Sequence, residues 1–172
     1  MLVLGIDPGT ATTGYGLVEY KAGKEILVDY GTIRTPSTME MPLRLCAINK
    51  GLNQLLQEFR PDVVVIEQLF FQKNSKTVMT VAQSRGVAVM TAASAGYSVA
   101  EYTPLQVKQA VVGYGKAEKK QVQLMVQKIL AMQKLPKPDD AADALAIAIC
   151  HIHSYKINAL IANTVKARGK TI

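Results

Sequence analysis

The sequence predicts an α/β protein: a five-stranded mixed sheet with helices on both faces. Three observations carry that reading. Short apolar runs rich in β-branched residues alternate with stretches of helical periodicity. The first three candidate strands follow one another without an intervening helix, so they pair as an antiparallel meander. The later strands are separated by helix-length segments, so they join by crossovers. The 172 residues suit one compact domain. With 49% hydrophobic and 19% charged residues, the chain has enough apolar surface to close a core.

LVLGID (2–7) is an apolar run stopped by Asp7-Pro8-Gly9, a strand ending in a turn. GYGLVEY (14–20) and EILVDYGTIRT (25–35) flank K-A-G-K and read as a hairpin. Within residues 39–59, Leu45, Ile48, Leu52, Leu55, Leu56 and Phe59 recur at three- and four-residue steps, the mark of an amphipathic helix. Arg60-Pro61-Asp62 ends it. VVVIE (63–67) is apolar throughout, as a buried parallel strand is. FFQKNSK (70–76) is a polar loop with two aromatics. Residues 77–95 read as a helix rich in Ala, Gly and Ser, and 97–103 as the fifth strand. Pro104 opens a helix to Val112, Gly113-Tyr114-Gly115 interrupts it, and 117–132 forms a Lys-bearing amphipathic helix. After the stiff LPKP (135–138), a last helix starts near Asp139. No repeat or low-complexity segment is present.

The formal net charge is +7, and its distribution is more telling than its size. No acid occurs from Gln68 to Ala100, where Lys73, Lys76 and Arg85 lie. Six lysines, Lys116 among them, face one acid, Glu118, from Pro104 to Lys134. Four basic residues and no acid follow Ser154. Segregated positive surface suits a polyanionic partner. No apolar run reaches the ~18 residues that span a bilayer. The start lacks a basic n-region and a small-residue cleavage site, so no signal peptide is read. Cys46 and Cys150 have no metal-like spacing and sit in apolar helical patterns, which favours reduced thiols in a cytoplasmic protein.

Against that basic background the acids stand out. Asp7 and Glu67 each end an apolar strand, where open α/β sheets form their crevices. If those strands are neighbours, the carboxylates converge, and their repulsion calls for a cation or a proton. Asp140 and Asp143 are three apart and share one face of the last helix, whose small Ala141, Ala142 and Ala144 allow close packing. Asp139 reads as a first-turn acid favoured by the helix dipole. Asp140 admits that reading too, whereas capping explains little about Asp143. Four carboxylates from two strand ends and one helix would make an all-oxygen site suited to Mg²⁺, with Mn²⁺ as a substitute, and two such ions support phosphodiester hydrolysis. His151 lies ~12 Å along the helix from Asp143 and reads, like His153, as a packing or surface residue.

GIDPGTATTGYG (5–16), IEQLFFQKN (66–74), SRGVAV (84–89), EYTPLQVKQAVVGYGKAEKKQVQ (101–123) and DAADALAIAICHIH (140–153) together resemble RuvC, the bacterial Holliday-junction endonuclease family. The resemblance runs from about residue 2 to 153. It implies an RNase H-like nuclease domain, taken over 1–155; the stretch 156–172 lies outside the resemblance and reads from its basic composition as a poorly ordered tail. The resemblance also implies a homodimer, Mg²⁺-dependent paired nicking of four-way DNA junctions, and a branch-migration helicase as partner. Asp7, Glu67, Asp140 and Asp143 match the family's catalytic carboxylates, which selects Asp140 over Asp139. Phe70 matches an aromatic that stacks on bases near the junction, at ~1–3 kcal/mol per stack. Phe71 is assigned to the core. Lys108 and Lys119 match basic residues beside the site. The two-fold symmetry of a junction suits a two-fold dimer. The small-residue helix 81–95 fits either that interface or packing on the sheet.

Three rival readings stand beside this one. DPGT resembles the phosphate loop of sugar kinases and actin, but those proteins need a second lobe for which 172 residues leave no room. A junction-binding protein without catalysis gains nothing from four acids near phosphates. A nuclease for RNA–DNA hybrids differs only in substrate choice.

Overall fold

The computed structural model describes residues 1–68 and 78–168, with side chains as far as residue 157. Its element order is β1 (Leu2–Asp7), β2 (Thr12–Lys21), β3 (Lys24–Arg34), α1 (Met41–Phe59), β4 (Val63–Glu67), α2 (Val78–Ser94), β5 (Val99–Tyr102), α3 (Pro104–Val112), α4 (Lys119–Ile129) and α5 (Asp139–Arg168). One sheet runs β3-β2-β1-β4-β5. The β1–β2 and β2–β3 pairs are antiparallel, whereas β1–β4 and β4–β5 are parallel. The expected meander and crossovers are therefore both present. The hairpin turn between β2 and β3 holds two residues, Ala22 and Gly23, both at positive φ. A tight hairpin needs that backbone to match strand twist.

The strand alternation sorts the core into two layers. Val3, Val18, Val63 and Val65 face α3, α4 and α5, while Leu4, Ile6, Leu17, Val64 and Ile66 face α1 and α2. The periodic face read for α1 is the buried one: Ile48, Leu52, Leu55 and Leu56 meet the sheet. Small residues Ala88 and Ala92 bring α2 onto the same face. Cys46 and Cys150 are both free thiols; burial pushes Cys150 up to about 11.

The helix α5 is the centre of the other layer. Ala141, Ala142, Leu145, Ile147, Ile149 and Ile152 are all essentially inaccessible, so this helix is buried on nearly every side. It lies between β1 and β2 below and α3 and α4 above. Burying each Leu or Ile there stabilises the fold by roughly 1.5–3 kcal/mol. The helix runs through residue 155, where sequence reading placed a domain boundary, and reaches Arg168. His151 packs edge-on against Tyr102 with its Nδ1 3.1 Å from the hydroxyl, and His153 Nδ1 lies 2.9 Å from the Ala110 carbonyl. Both are packing residues, as expected.

Glycines in the sheet set the depth of α5. A Cβ at Gly5 would lie 2.1 Å from the Ala144 carbonyl oxygen, and one at Gly14 would lie 2.0 Å from the Asp140 carbonyl oxygen. Helix backbone therefore rests on strand backbone. Gly14 pairs with Asp7, so this contact places the start of α5 beside the end of β1. Gly5→Val should lift the helix and lower stability by about 2–4 kcal/mol. Thermal melting checks this. Wild-type melting would contradict the seating.

Candidate active site

The site gathers at the ends of β1 and β4. Ile6 pairs with Ile66 across the parallel ladder, so Asp7 and Glu67 leave the sheet at the same level. The first turn of α5 brings Asp140 over Gly14, and Asp143 follows one turn later. The convergence expected from the strand ends is therefore present, and its electrostatic consequences are large. Burial first, then Glu67, Asp143 and Asp140, raise the Asp7 carboxyl to about 8; Lys119 opposes them. Burial and the Asp143 charge raise Glu67 to about 7, against Lys119 and Lys108. Burial also raises Asp143, although its bond to Lys119 works the other way.

Two lysines frame these acids. Thr103 caps α3: its hydroxyl accepts from the Gln106 N–H at 3.2 Å, and Gln106 Oε1 accepts from the Thr103 N–H at 2.8 Å. That cap starts the helix carrying Lys108 directly after β5. Lys119 opens α4 and donates to Asp143 at 2.8 Å, with Asp139 at 3.6 Å. Burial disfavours its charge, but Asp143 and the neighbouring acids outweigh that and hold the Lys119 pKa above its usual value. Glu67, Asp143, Lys108 and Lys119 line a cleft of about 200 Å³ floored by Val107, Val122 and Ala146. Asp139 lies at the rim, where its carboxylate accepts from Gln123 at 2.8 Å. Asp139 stands in the first turn of α5, and its hydrogen-bond and ion-pair partners, Gln123 and Lys119, both belong to α4.

Other expected residues separate from the cluster. Arg85 is ion-paired to Glu101 and donates to the Glu67 carbonyl at 3.2 Å, so it braces the end of β4. Lys116 is exposed in the turn between α3 and α4 and does not line the cleft. Phe70, Phe71, Lys73 and Lys76 lie outside the described residues. Sequence reading missed the residues that brace the Asp7 turn. Thr10 Oγ1 donates to the Thr80 carbonyl and lies 2.8 Å from Ser84 Oγ, and Thr13 Oγ1 donates to the Gly9 carbonyl at 2.7 Å. The density of threonines after DPG is the available signal, but the partners of Thr10 are 70 and 74 residues away.

The donor set fits a hard divalent cation. It is entirely oxygen, and the acids repel one another enough to hold protons near neutral pH. Among the described residues, no three ligating side chains stand at ion-enclosing spacing, and the Lys119 ammonium is the counter-charge in contact with Asp143. A cation would therefore draw Asp7, Glu67, Asp140 and Asp143 together from a loose arrangement.

The sequence matches the family described as crossover junction endodeoxyribonuclease RuvC over residues 3–151. The RuvC of Syntrophomonas wolfei is 65% identical over 99% of both chains. That of Ruminiclostridium cellulolyticum is 54% identical over 95% of this chain and 98% of its own. Among solved structures, Thermus thermophilus RuvC in complex with a Holliday junction substrate superposes with a TM-score of 0.86 at 36% identity, covering 92% of this chain and 96% of that one. The five-stranded mixed sheet is thus the RNase H-like fold of those resolvases, and the chain belongs to the RuvC family of crossover junction endodeoxyribonucleases.

Proposed function

We propose that this chain resolves four-way DNA junctions in recombination and repair, by paired symmetric nicks made at Asp7, Glu67, Asp140 and Asp143. The supporting observation is the buried convergence of these acids beside the cleft of Lys108 and Lys119. The four carboxylates would hold Mg²⁺, two ions per site, with Mn²⁺ able to substitute. Bound there, the ions supply positive charge to the phosphate and acidify water for attack. The protein's own groups do the rest. Asp7 and Glu67 would hold such ions, as carboxylates, from the sheet side. Asp140 and Asp143 would hold the opposite side from a helix that cannot slide, because its backbone rests on Gly14 and Gly5. Lys119, beside Asp143 at the cleft, would stabilise the charge that grows on the non-bridging phosphate oxygens. Lys108 and Lys116 contact flanking phosphates, as do Lys73, Lys76 and Arg85 more distantly, and Phe70 stacks on an unpaired base.

Two copies acting as a homodimer would place one site on each of two opposed strands. The nuclease domain takes residues 1–155, and the basic stretch 156–172 extends from it. The branch-migration helicase partner rests on the family alone. Among the described residues no helix is long and apolar enough to cross a membrane. A cytoplasmic location follows from bacterial relatives that act on DNA.

Cleavage of a synthetic four-way junction, a plain duplex and an RNA–DNA hybrid with Mg²⁺ tests the proposal. The junction should be nicked symmetrically and the others spared. Asp7→Asn should slow cutting by about 10³-fold or more while junction binding is kept or tightened, because one repelling charge is gone. Normal cutting by that variant would move the active site elsewhere.

The raised Asp7 pKa also predicts a pH-dependent stability. Unfolded, Asp7 ionises at the ordinary carboxylate value of 3.8; in the fold it is raised to about 8. Between those values the native state holds the extra proton, so the contribution of Asp7 is fully present below the lower value and is lost as pH rises through the upper one. Without divalent ions, Asp7→Asn should melt close to wild type at about pH 4 and above it at about pH 8. Mg²⁺ at the higher pH should raise the wild-type melting temperature and shrink the difference. Parallel melting curves at both pH values would contradict this electrostatic account.

A further inference from the structure

A second hollow opens on the other flank of the carboxylates. It encloses about 510 Å³ between the Gly9–Thr12 loop, Ser37, Arg44 and the start of α2, and Asp140 forms part of its wall. Glu67 and Asp143 line the lysine cleft instead. The two hollows therefore meet at the acids from opposite sides. This follows from topology: the second hollow sits by β2 and the segment after β3, and the lysine cleft by α3 beyond β5.

Arg44 is the cation of this second hollow. It projects from the first turn of α1 and is held from behind. Its Nε donates to Thr35 Oγ1 at 2.8 Å and its Nη2 to the Thr35 carbonyl at 3.4 Å. Thr35 is 3% exposed, and its hydroxyl donates in turn to the Thr10 carbonyl at 2.5 Å. A single chain of hydrogen bonds thus fixes the guanidinium to the loop that carries Asp7. Among the described residues Arg44 has no ion-pair partner, and its Nη1 has no hydrogen-bond acceptor. A half-buried guanidinium, anchored through two nitrogens and lacking a counter-ion, is prepared for an anion.

We infer that Arg44 binds a backbone phosphate of the strand being cut, on the side of the scissile bond away from Lys119. The inference rests on the proposed nuclease reading and adds a contact to it. A strand crossing four carboxylates meets repulsion at its middle. Lys108 and Lys119 offset it on one flank only. Arg44 supplies the other flank, and Ala11 and Val81 offer apolar wall for the deoxyribose between. Gripped on both sides, the scissile phosphate is held against the acids instead of being pushed off them.

The test is binding of the full-length chain to a synthetic four-way junction in chelator, where nothing is cut, across a range of salt. Arg44→Gln should bind about tenfold more weakly, and its plot of log affinity against log salt should be shallower by about one unit. Arg44→Lys keeps the charge and should keep the wild-type slope. Ser37→Glu places a negative charge in the same hollow without touching the Arg44–Thr35 anchor. It should weaken binding where Ser37→Gln does not, and it decides the matter if Arg44→Gln fails to fold. A wild-type slope in Arg44→Gln, equal slopes lost in both Arg44 variants, or normal binding by Ser37→Glu would each overturn the inference while leaving the nuclease reading intact. A wild-type chain with no preference for junction over duplex would overturn the nuclease reading, and the Arg44 contact with it.

Discussion

Helix backbone resting on strand backbone is the constraint on which the rest of this molecule depends. Gly5 and Gly14 leave no side chain between the sheet and α5, and the alanines of α5 leave little on their side. The helix therefore sinks to the depth at which Asp140 stands over the partner of Asp7. A side chain at either glycine would collide with the backbone of α5. Packing and chemistry are the same contact here, since the apolar run of α5 that seals the core is also what fixes the acids at its head.

That seating forces carboxylates together in a place with little water. Desolvation is the largest influence on Asp7, Glu67 and Asp143 alike; repulsion by neighbouring acids follows at Asp7 and Glu67, whereas at Asp143 the Lys119 contact comes next and opposes it. The fold accepts that destabilisation because the helix and strands are held by apolar burial elsewhere, in two separate layers. Lys119 offsets part of the repulsion, and it does so from the exposed start of a different helix. The net charge of +7 and the acidic site are thus compatible: the acids occupy one buried point, and the basic residues spread over the surface around it.

Much of this was readable along the chain. Strand alternation, the K-A-G-K turn, the apolar steps of α1 and the proline-opened α3 are local patterns, and each became the element it suggested. The acids at the ends of LVLGID and VVVIE were conspicuous because a carboxylate rarely ends a buried run without reason. Less readable were side chains whose partners lie far off. Arg85 lay in a basic, acid-free stretch, and nothing in that stretch announced its ion pair with Glu101 on β5. Thr10 looked like part of a turn, yet it ties that turn to α2 through Ser84. Arg44 drew no notice, since one arginine in an amphipathic helix is ordinary until the loop beneath it is seen.

The sequence by itself determined the element types and the two-layer patterning, because these follow from periodicity; residue types and positions offered the acids as candidates, and only the family resemblance chose Asp140 over Asp139. Spacing along a helix also placed Asp140 and Asp143 on one face. What the tertiary structure decided was distance. Strand order put β4 beside β1, the glycines set the height of α5, and only then did four acids separated by up to 136 positions become neighbours. Electrostatic energy depends on separation and burial, and neither is a property of position along a chain. That is why the acids could be named from sequence, while the raised protonation of Asp7, the grip of Lys119 on Asp143 and the second hollow beside Asp140 could not.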